Sequence, residues 1–251
     1  MSGHSKWATT KHRKAAQDKK RSALFSKLTR NVFVAAKSGD ANPDNNAALA
    51  AAIAKAKSYS LPKDKIDMAI AKAHSSASDG STWSEVVYEG YGPDGVAIYV
   101  ETLTDNRNRT ASDIRSTFTK SGGNLGTSGS VAFQFERKGE IIVEKGADFD
   151  EDELMLTVAD CEGDDMEVGD DEVVVVTGAG TVMAVKRALE DAGVVVRGAE
   201  LVMEPTNAQT VPIETVKKTM RLIDNLEELD DVQSVYHTMD ISEEQLGALD
   251  D

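Results

Sequence analysis

Apolar residues recur at spacings of four, four and three through Leu24, Leu28, Val32 and Ala35, which predicts one face of an amphipathic helix. Gly39 offers a stop. Asn42-Pro43 sets a favoured cap residue ahead of a proline suited to a first helical position, predicting a second helix with Leu49, Ile53 and Ala56 inward. Pro62 opens a third, with Ile66, Ile70 and Ala73 on its face. Alanine-rich composition favours helix and permits close packing. Residues 75–84 are polar, contain glycine and read as a linker.

Beyond the linker the period falls to two. Val96, Ile98 and Val100 share one strand face. Thr110 with Asp113 has the form of a capping box, opening a helix with Ala111, Ile114 and Phe118 inward. Gly122-Gly123 stops that helix, and Val131, Phe133 and Phe135 alternate as the next strand. A strand at 141–143 follows, then a helix capped by Asp150 with Leu154, Val158 and Cys161 inward. Residues 173–176 form a buried-type strand; Val182, Val185 and Leu189 mark a helix; 194–196, continued by 199–203, form a sheet edge. Ile213, Val216, Met220, Ile223 and Leu226 stripe a long helix, 233–239 is the last strand, and an acidic tail starts at Ser242. The class expected is α+β: an N-terminal three-helix bundle followed by two ferredoxin-like βαββαβ units.

Charge changes the picture. The chain has 251 residues, with 28 Lys+Arg against 43 Asp+Glu, net −15. That total argues against nucleic acid until it is divided. Residues 1–80 hold 15 basic and 6 acidic residues, net +9; residues 81–146 hold 7 and 9, net −2; residues 147–251 hold 6 and 28, net −22. A phosphate backbone responds to local potential, because charges beyond roughly 8 Å are screened at physiological salt. The asymmetry predicts a nucleic-acid-facing head and a part that stays away from it. A basic head that is merely solvated, or paired with the acidic third, is the other reading.

Composition narrows the chemistry further. The single cysteine, Cys161, excludes an intramolecular disulfide and a cysteine-cluster metal site. No run reaches about 18 apolar residues, and the basic start lacks the apolar stretch of a secretory signal, so a cytoplasmic protein is expected. Gly178-Ala179-Gly180 between a strand and a helix has Met183 at the third glycine position of a dinucleotide fingerprint and reads as a tight turn. The histidines His4, His12, His74 and His237 are scattered and assemble no metal or catalytic set, so no cofactor and no metal are expected; an enzyme using the polar loops of the middle unit is an alternative that lacks an identifiable nucleophile, metal set or base. Two polar loops stand out. Asp105-Asn106-Arg107-Asn108-Arg109-Thr110 places arginines and amides at a helix start, where backbone N–H groups and charge together bind phosphate oxygens. Gly122-Gly123-Asn124-Leu125-Gly126 allows close backbone approach to a ligand. Ordinary turn and capping chemistry is the alternative for both.

Five strings carry a resemblance: GHSKWA at 3–8, HRKAAQDKKR at 12–21, YEGYGPDGVA at 88–97, LTDNRNRT at 103–110 and GGNLGTSGSVAF at 122–133. They resemble the YebC/PmpR family of probable transcriptional regulators, which is similar to the mitochondrial translational activator of cytochrome c oxidase subunit one. Thr9-Thr10 stands where relatives often carry Asn-Ile. The resemblance implies a basic helical domain at 1–79, a middle α/β domain at 80–137 and 206–241, an acidic α/β domain at 138–205 inserted within it, and a tail at 242–251. It implies a non-enzymatic nucleic-acid-binding regulator of gene expression. Some members are described as binding promoter DNA. Others are described as ribosome-associated, aiding translation through difficult sequences such as consecutive prolines. The lack of a helix-turn-helix signal leans toward ribosomal RNA; the family label leans toward promoter DNA. The candidate contacts are His4, Lys6, Lys11, His12, Arg13, Lys14, Lys19, Lys20 and Arg21 in the arm, then Asn106, Arg107, Asn108, Arg109, Gly123 and Asn124. Trp7 stacks on a base or packs on the bundle. The acidic domain is expected to point away from phosphate or to meet the ribosome or a basic protein; a protein adaptor is the alternative of another class. No membrane partner is expected.

Overall fold

The structure is a computed structural model. It describes residues 17–75, 82–146, 149–169 and 172–249, with the backbone alone for 17–21 and 243. Three helices come first, α1 (Gln17–Lys37), α2 (Ala47–Ser58) and α3 (Lys63–Ser75). Leu28, Val32 and Ala36 of α1 close a core with Leu49 and Ala56 of α2 and Ile66, Ala69 and Ala73 of α3. Of the expected stripes, Leu28, Val32, Leu49, Ala56, Ile66 and Ala73 are buried, because a 3.6-residue period places them on one side of each helix, while Leu24, Ala35, Ile53 and Ile70 pack half-buried at the margin and Ala36 and Ala69 join the core in addition. The start of α2 differs from expectation. Asn42 accepts from the Asp44 N–H to cap a single 3₁₀ turn, and Asn46 accepts from the Leu49 N–H to cap the helix itself.

The chain continues through β1 (Ser84–Tyr91), β2 (Ala97–Thr104), α4 (Arg107–Lys120), β3 (Asn124–Leu125) and β4 (Phe135–Glu144). Next come α5 (Glu151–Asp160), β5 (Asp165–Val168), β6 (Glu172–Gly178), α6 (Val182–Asp191) and β7 (Val196–Pro205). Last are β8 (Gln209–Thr210), α7 (Ile213–Glu227), β9 (Val232–His237), β10 (Met239–Asp240) and α8 (Glu243–Gly247).

Two four-stranded antiparallel sheets result, ordered β3-β1-β2-β9 and β5-β6-β4-β7. The second is built as βαββαβ with its first strand central, the ferredoxin-like arrangement. The first begins with a hairpin, β1 paired to β2, and the chain leaves it after β3 and returns through α7 and β9. The whole second sheet lies in that excursion. One face of the first sheet packs Ile98, Val100 and Val235 against Ile114 and Phe118 of α4 and Val216, Met220 and Ile223 of α7. Its other face turns Ala97 and Tyr236 toward Phe135, Val202 and Met203 of the second sheet. The first sheet is thus sandwiched between the α4–α7 layer and the acidic second unit.

The expected strand through Val131, Phe133 and Phe135 is absent. Residues Ala132–Gln134 make a 3₁₀ turn, and Phe133 is 75% exposed. The cause lies on β1. The buried carboxylate of Glu89 accepts the N–H groups of Gly129 (2.7 Å), Val131 (2.8 Å) and Ala132 (2.7 Å), which removes them from any ladder. Burial pushes the Glu89 carboxyl upward, but those three donors outweigh it and hold it below the ordinary carboxylate value.

Polar contacts join α2 to the second sheet. Lys55 Nζ lies 2.6 Å from Glu200 Oε2, and a Cβ on Gly198 would meet Ser58 Cβ at 2.9 Å. Glu200 is the cross-strand partner of Glu140. Burial first, then the charges of Glu200, Glu204 and Glu167, push the Glu140 carboxyl up to about 8, with Lys55 opposing.

Candidate nucleic-acid interface

Among the arm candidates, His4, Lys6, Lys11, His12, Arg13 and Lys14, with Trp7, lie outside the described residues. Lys19, Lys20 and Arg21 lie in the first two turns of α1, whose backbone is helical there. Farther along α1 the cations are engaged. Lys27 Nζ donates to the Glu227 carbonyl (2.5 Å), at the carboxyl end of α7. Arg30 donates to the Asp230 carbonyl (2.6 Å) and to Asp231 Oδ1 (3.2 Å), while its guanidinium sits 5.5 Å from the Trp83 ring centroid. Cations at a helix carboxyl end complement its dipole and its unpaired carbonyls. The helical unit is therefore anchored on the loop between α7 and β9.

The arginine-amide loop meets the same anchor. Asn106, rather than Thr110, caps α4, its side chain accepting from the Arg109 N–H (3.1 Å). Thr110 is buried one turn in, and its hydroxyl donates to Asp231 Oδ2 (2.8 Å). Arg109 bridges Asp105 (2.9 Å) and Asp231 (2.8 Å). Burial pushes the Asp231 carboxyl up, but the Arg109 and Thr110 hydrogen bonds and the Arg109 and Arg30 charges outweigh it and hold it low. Arg107 Nε donates to Ser84 Oγ (3.0 Å), and Asn108 is exposed. A cleft of about 610 Å³ opens here. Two guanidinium groups, Arg30 and Arg109, face five carboxylates on its walls, those of Asp105, Asp113, Glu228, Asp230 and Asp231. Arg109 already serves two of those carboxylates, so the loop builds a junction between α1 and the first sheet.

Gly123 and Asn124 sit at the far end of α4, a helix about 20 Å long at roughly 1.5 Å per residue. Asn124 pairs with Tyr91 in β3, and a Cβ on Gly123 would meet the Tyr91 carbonyl at 2.7 Å. Close packing against β1 accounts for that glycine. The structure does not bring the two polar loops together. Sequence reading also passed over a set of cations on α4 and α7. Arg115 and Lys120 on α4, and Lys217, Lys218 and Arg221 on α7, belong to two helices joined by an Asn225–Ser121 hydrogen bond (3.4 Å). The signal was Lys217-Lys218 with Arg221, one helical turn apart in an otherwise acidic stretch.

Family comparison adds identity to this geometry. Residues 5–76 match the TACO1/YebC protein N-terminal domain, and residues 83–239 match the TACO1/YebC second and third domain. The chain belongs to the TACO1/YebC family. It is similar to a probable transcriptional regulatory protein of Bifidobacterium animalis subsp. lactis, 48% identical over 100% of both chains. It is equally similar to one of Rubrobacter xylanophilus, 50% identical over 98% of each. A crystal structure of a conserved hypothetical protein from Aquifex aeolicus shares the fold, with a TM-score of 0.80 and 40% identity, covering 90% of this chain and 93% of that one. Among the described residues no helix is long and apolar enough to cross a membrane, and no cluster of His, Cys, Asp or Glu is placed to hold a metal ion.

Proposed function

We propose that this TACO1/YebC-family protein is a non-enzymatic, nucleic-acid-binding regulator of gene expression acting in the cytoplasm. The carrying observation is the division of charge, +9 over residues 1–80 against −22 over 147–251. The names of its relatives support a regulatory role. The basic head, from His4 to Arg21, neutralises phosphates and positions the molecule; base-specific readout is secondary, since aromatic residues are only 5% of the chain. The domains are the helical head at 1–79, the middle unit at 80–137 and 206–241, the inserted acidic unit at 138–205 and the tail.

Promoter DNA is the target that the relatives' names favour. Ribosomal RNA is the second reading, and one observation favours it. The long helix α1 turns Lys27 and Arg30 toward the end of α7, so these two cations are not offered to a major groove. Ultraviolet crosslinking in cells, followed by sequencing of both RNA and DNA, separates the two. Crosslinks concentrated at promoters support the first reading, crosslinks concentrated in ribosomal RNA support the second, and crosslinks to neither reject a nucleic-acid role.

A further inference from the structure

Most described cations are engaged. Arg30, Lys55, Arg109, Arg137, Lys138, Lys186 and Arg197 all face carboxylates within 4 Å. The side chains of Arg115, Lys120, Lys217, Lys218 and Arg221 have no hydrogen bond or ion pair among the described residues, and all but the half-buried Lys217 are exposed. These five belong to two neighbouring helices. On α7 the outward stripe is Glu214, Lys218, Arg221 and Asn225, at spacings of four, three and four, while Val216, Met220, Ile223 and Leu226 face the core. On α4 the exposed residues include Arg115 and Lys120, with Ile114 and Phe118 inward.

Position within the fold insulates this patch from the acidic unit. Residues 138–205 carry 5 basic and 19 acidic residues, net −14. That unit packs on the face of the first sheet opposite α4 and α7. A helix layer and a sheet therefore stand between, more than the ~10 Å separation of packed layers. The Debye length at physiological salt is shorter, roughly 8 Å. Glu214, Asp224 and Glu227 on α7 and Asp113 on α4 are the opposing charges carried by the same two helices. The helical unit docks on the same helix. Lys27 of α1 docks on the Glu227 carbonyl, six residues beyond Arg221, or about 9 Å along α7 at roughly 1.5 Å per residue.

We propose that the outer face of α4 and α7, through Arg115, Lys120, Lys217, Lys218 and Arg221, is a second phosphate-binding surface that tracks the same nucleic-acid backbone as the basic head. This rests on the nucleic-acid reading of the protein. A duplex carries one charge per ~1.7 Å of axis, so a backbone laid along these helices presents phosphates densely enough to meet several of the five cations. The acidic unit on the opposite side then fixes which side of the molecule meets phosphate.

The test is fluorescence anisotropy of the full chain with random-sequence duplex DNA and with random-sequence single-stranded RNA, titrated across salt. The variant carries Arg115→Gln, Lys120→Gln, Lys217→Gln, Lys218→Gln and Arg221→Gln. These side chains make no hydrogen bond or ion pair among the described residues, and far-ultraviolet circular dichroism checks the fold. Each lost contact should flatten the slope of log K against log salt by about 0.9 for duplex or 0.7 for single strands. A control carrying Arg187→Gln, in the acidic unit away from the patch, should keep the parental slope. A folded patch variant with the parental slope overturns the second surface while leaving the head in place. A parental protein that binds neither nucleic acid overturns the functional reading beneath it.

Discussion

At the scale of single residues, Glu140 is a carboxyl whose protonation the fold strongly alters. Its carboxyl faces Glu200 across the strand pair, and burial and neighbouring negative charge raise its pKa from 4.5 to about 8. A folded-state value above the unfolded one means that its contribution is fully present below about pH 4.5 and is lost as pH rises through about 8. Stability is therefore expected to decline across that window, and Glu140→Gln should flatten the decline. Urea unfolding midpoints at a series of pH values check this. A variant that tracks the parent across the window would show that the charge at Glu140 is already compensated. Asp231 carries the opposite sign: Arg109, Thr110 and Arg30 hold it ionised, so its contribution is lost at acid pH.

At the scale of elements, the turn after β3 shows how one buried group sets local structure. Glu89→Gln replaces an acceptor oxygen with a donor that faces a backbone N–H, leaving at least one amide unpaired. A cost of about 1–3 kcal/mol is expected from such an unmade buried bond, measured by chemical denaturation. An unchanged midpoint would mean that the turn is held by the Tyr91–Ser130 hydrogen bond (2.7 Å) and packing instead. This turn also marks where the sequence misled. Val131, Phe133 and Phe135 alternate as a strand should, yet the partner that breaks the pattern sits some forty positions away on β1. Helices α1, α3 and α7 were legible because their apolar stripes are local and periodic. The caps were half legible: Asp150 caps α5 as expected, while Thr110 yielded to Asn106, whose extended backbone suits a cap. The arginine loop was legible as polar but not as a junction, since Asp231, which neutralises Arg109, is 122 residues distant in sequence.

At the scale of the whole molecule, charge is arranged in layers. A basic head is anchored through Lys27 and Arg30 on the end of α7, the first sheet stands in the middle, and the acidic ferredoxin-like unit lies behind it. Counting charge along the chain revealed the head, but it buried Lys217, Lys218 and Arg221 inside a segment of net −22. Only the fold separates α7 from the acidic unit that surrounds it in sequence. The central claim is that the head engages phosphate. It is tested by the salt dependence of binding to duplex DNA and to single-stranded RNA, with the parent compared to Lys19→Ala, Lys20→Ala, Arg21→Ala. With about six phosphate contacts at roughly −0.9 each, the parental slope on duplex should lie near −5, and the triple variant should flatten it by two to three contacts' worth. A triple variant that keeps the parental slope on both nucleic acids would contradict the account.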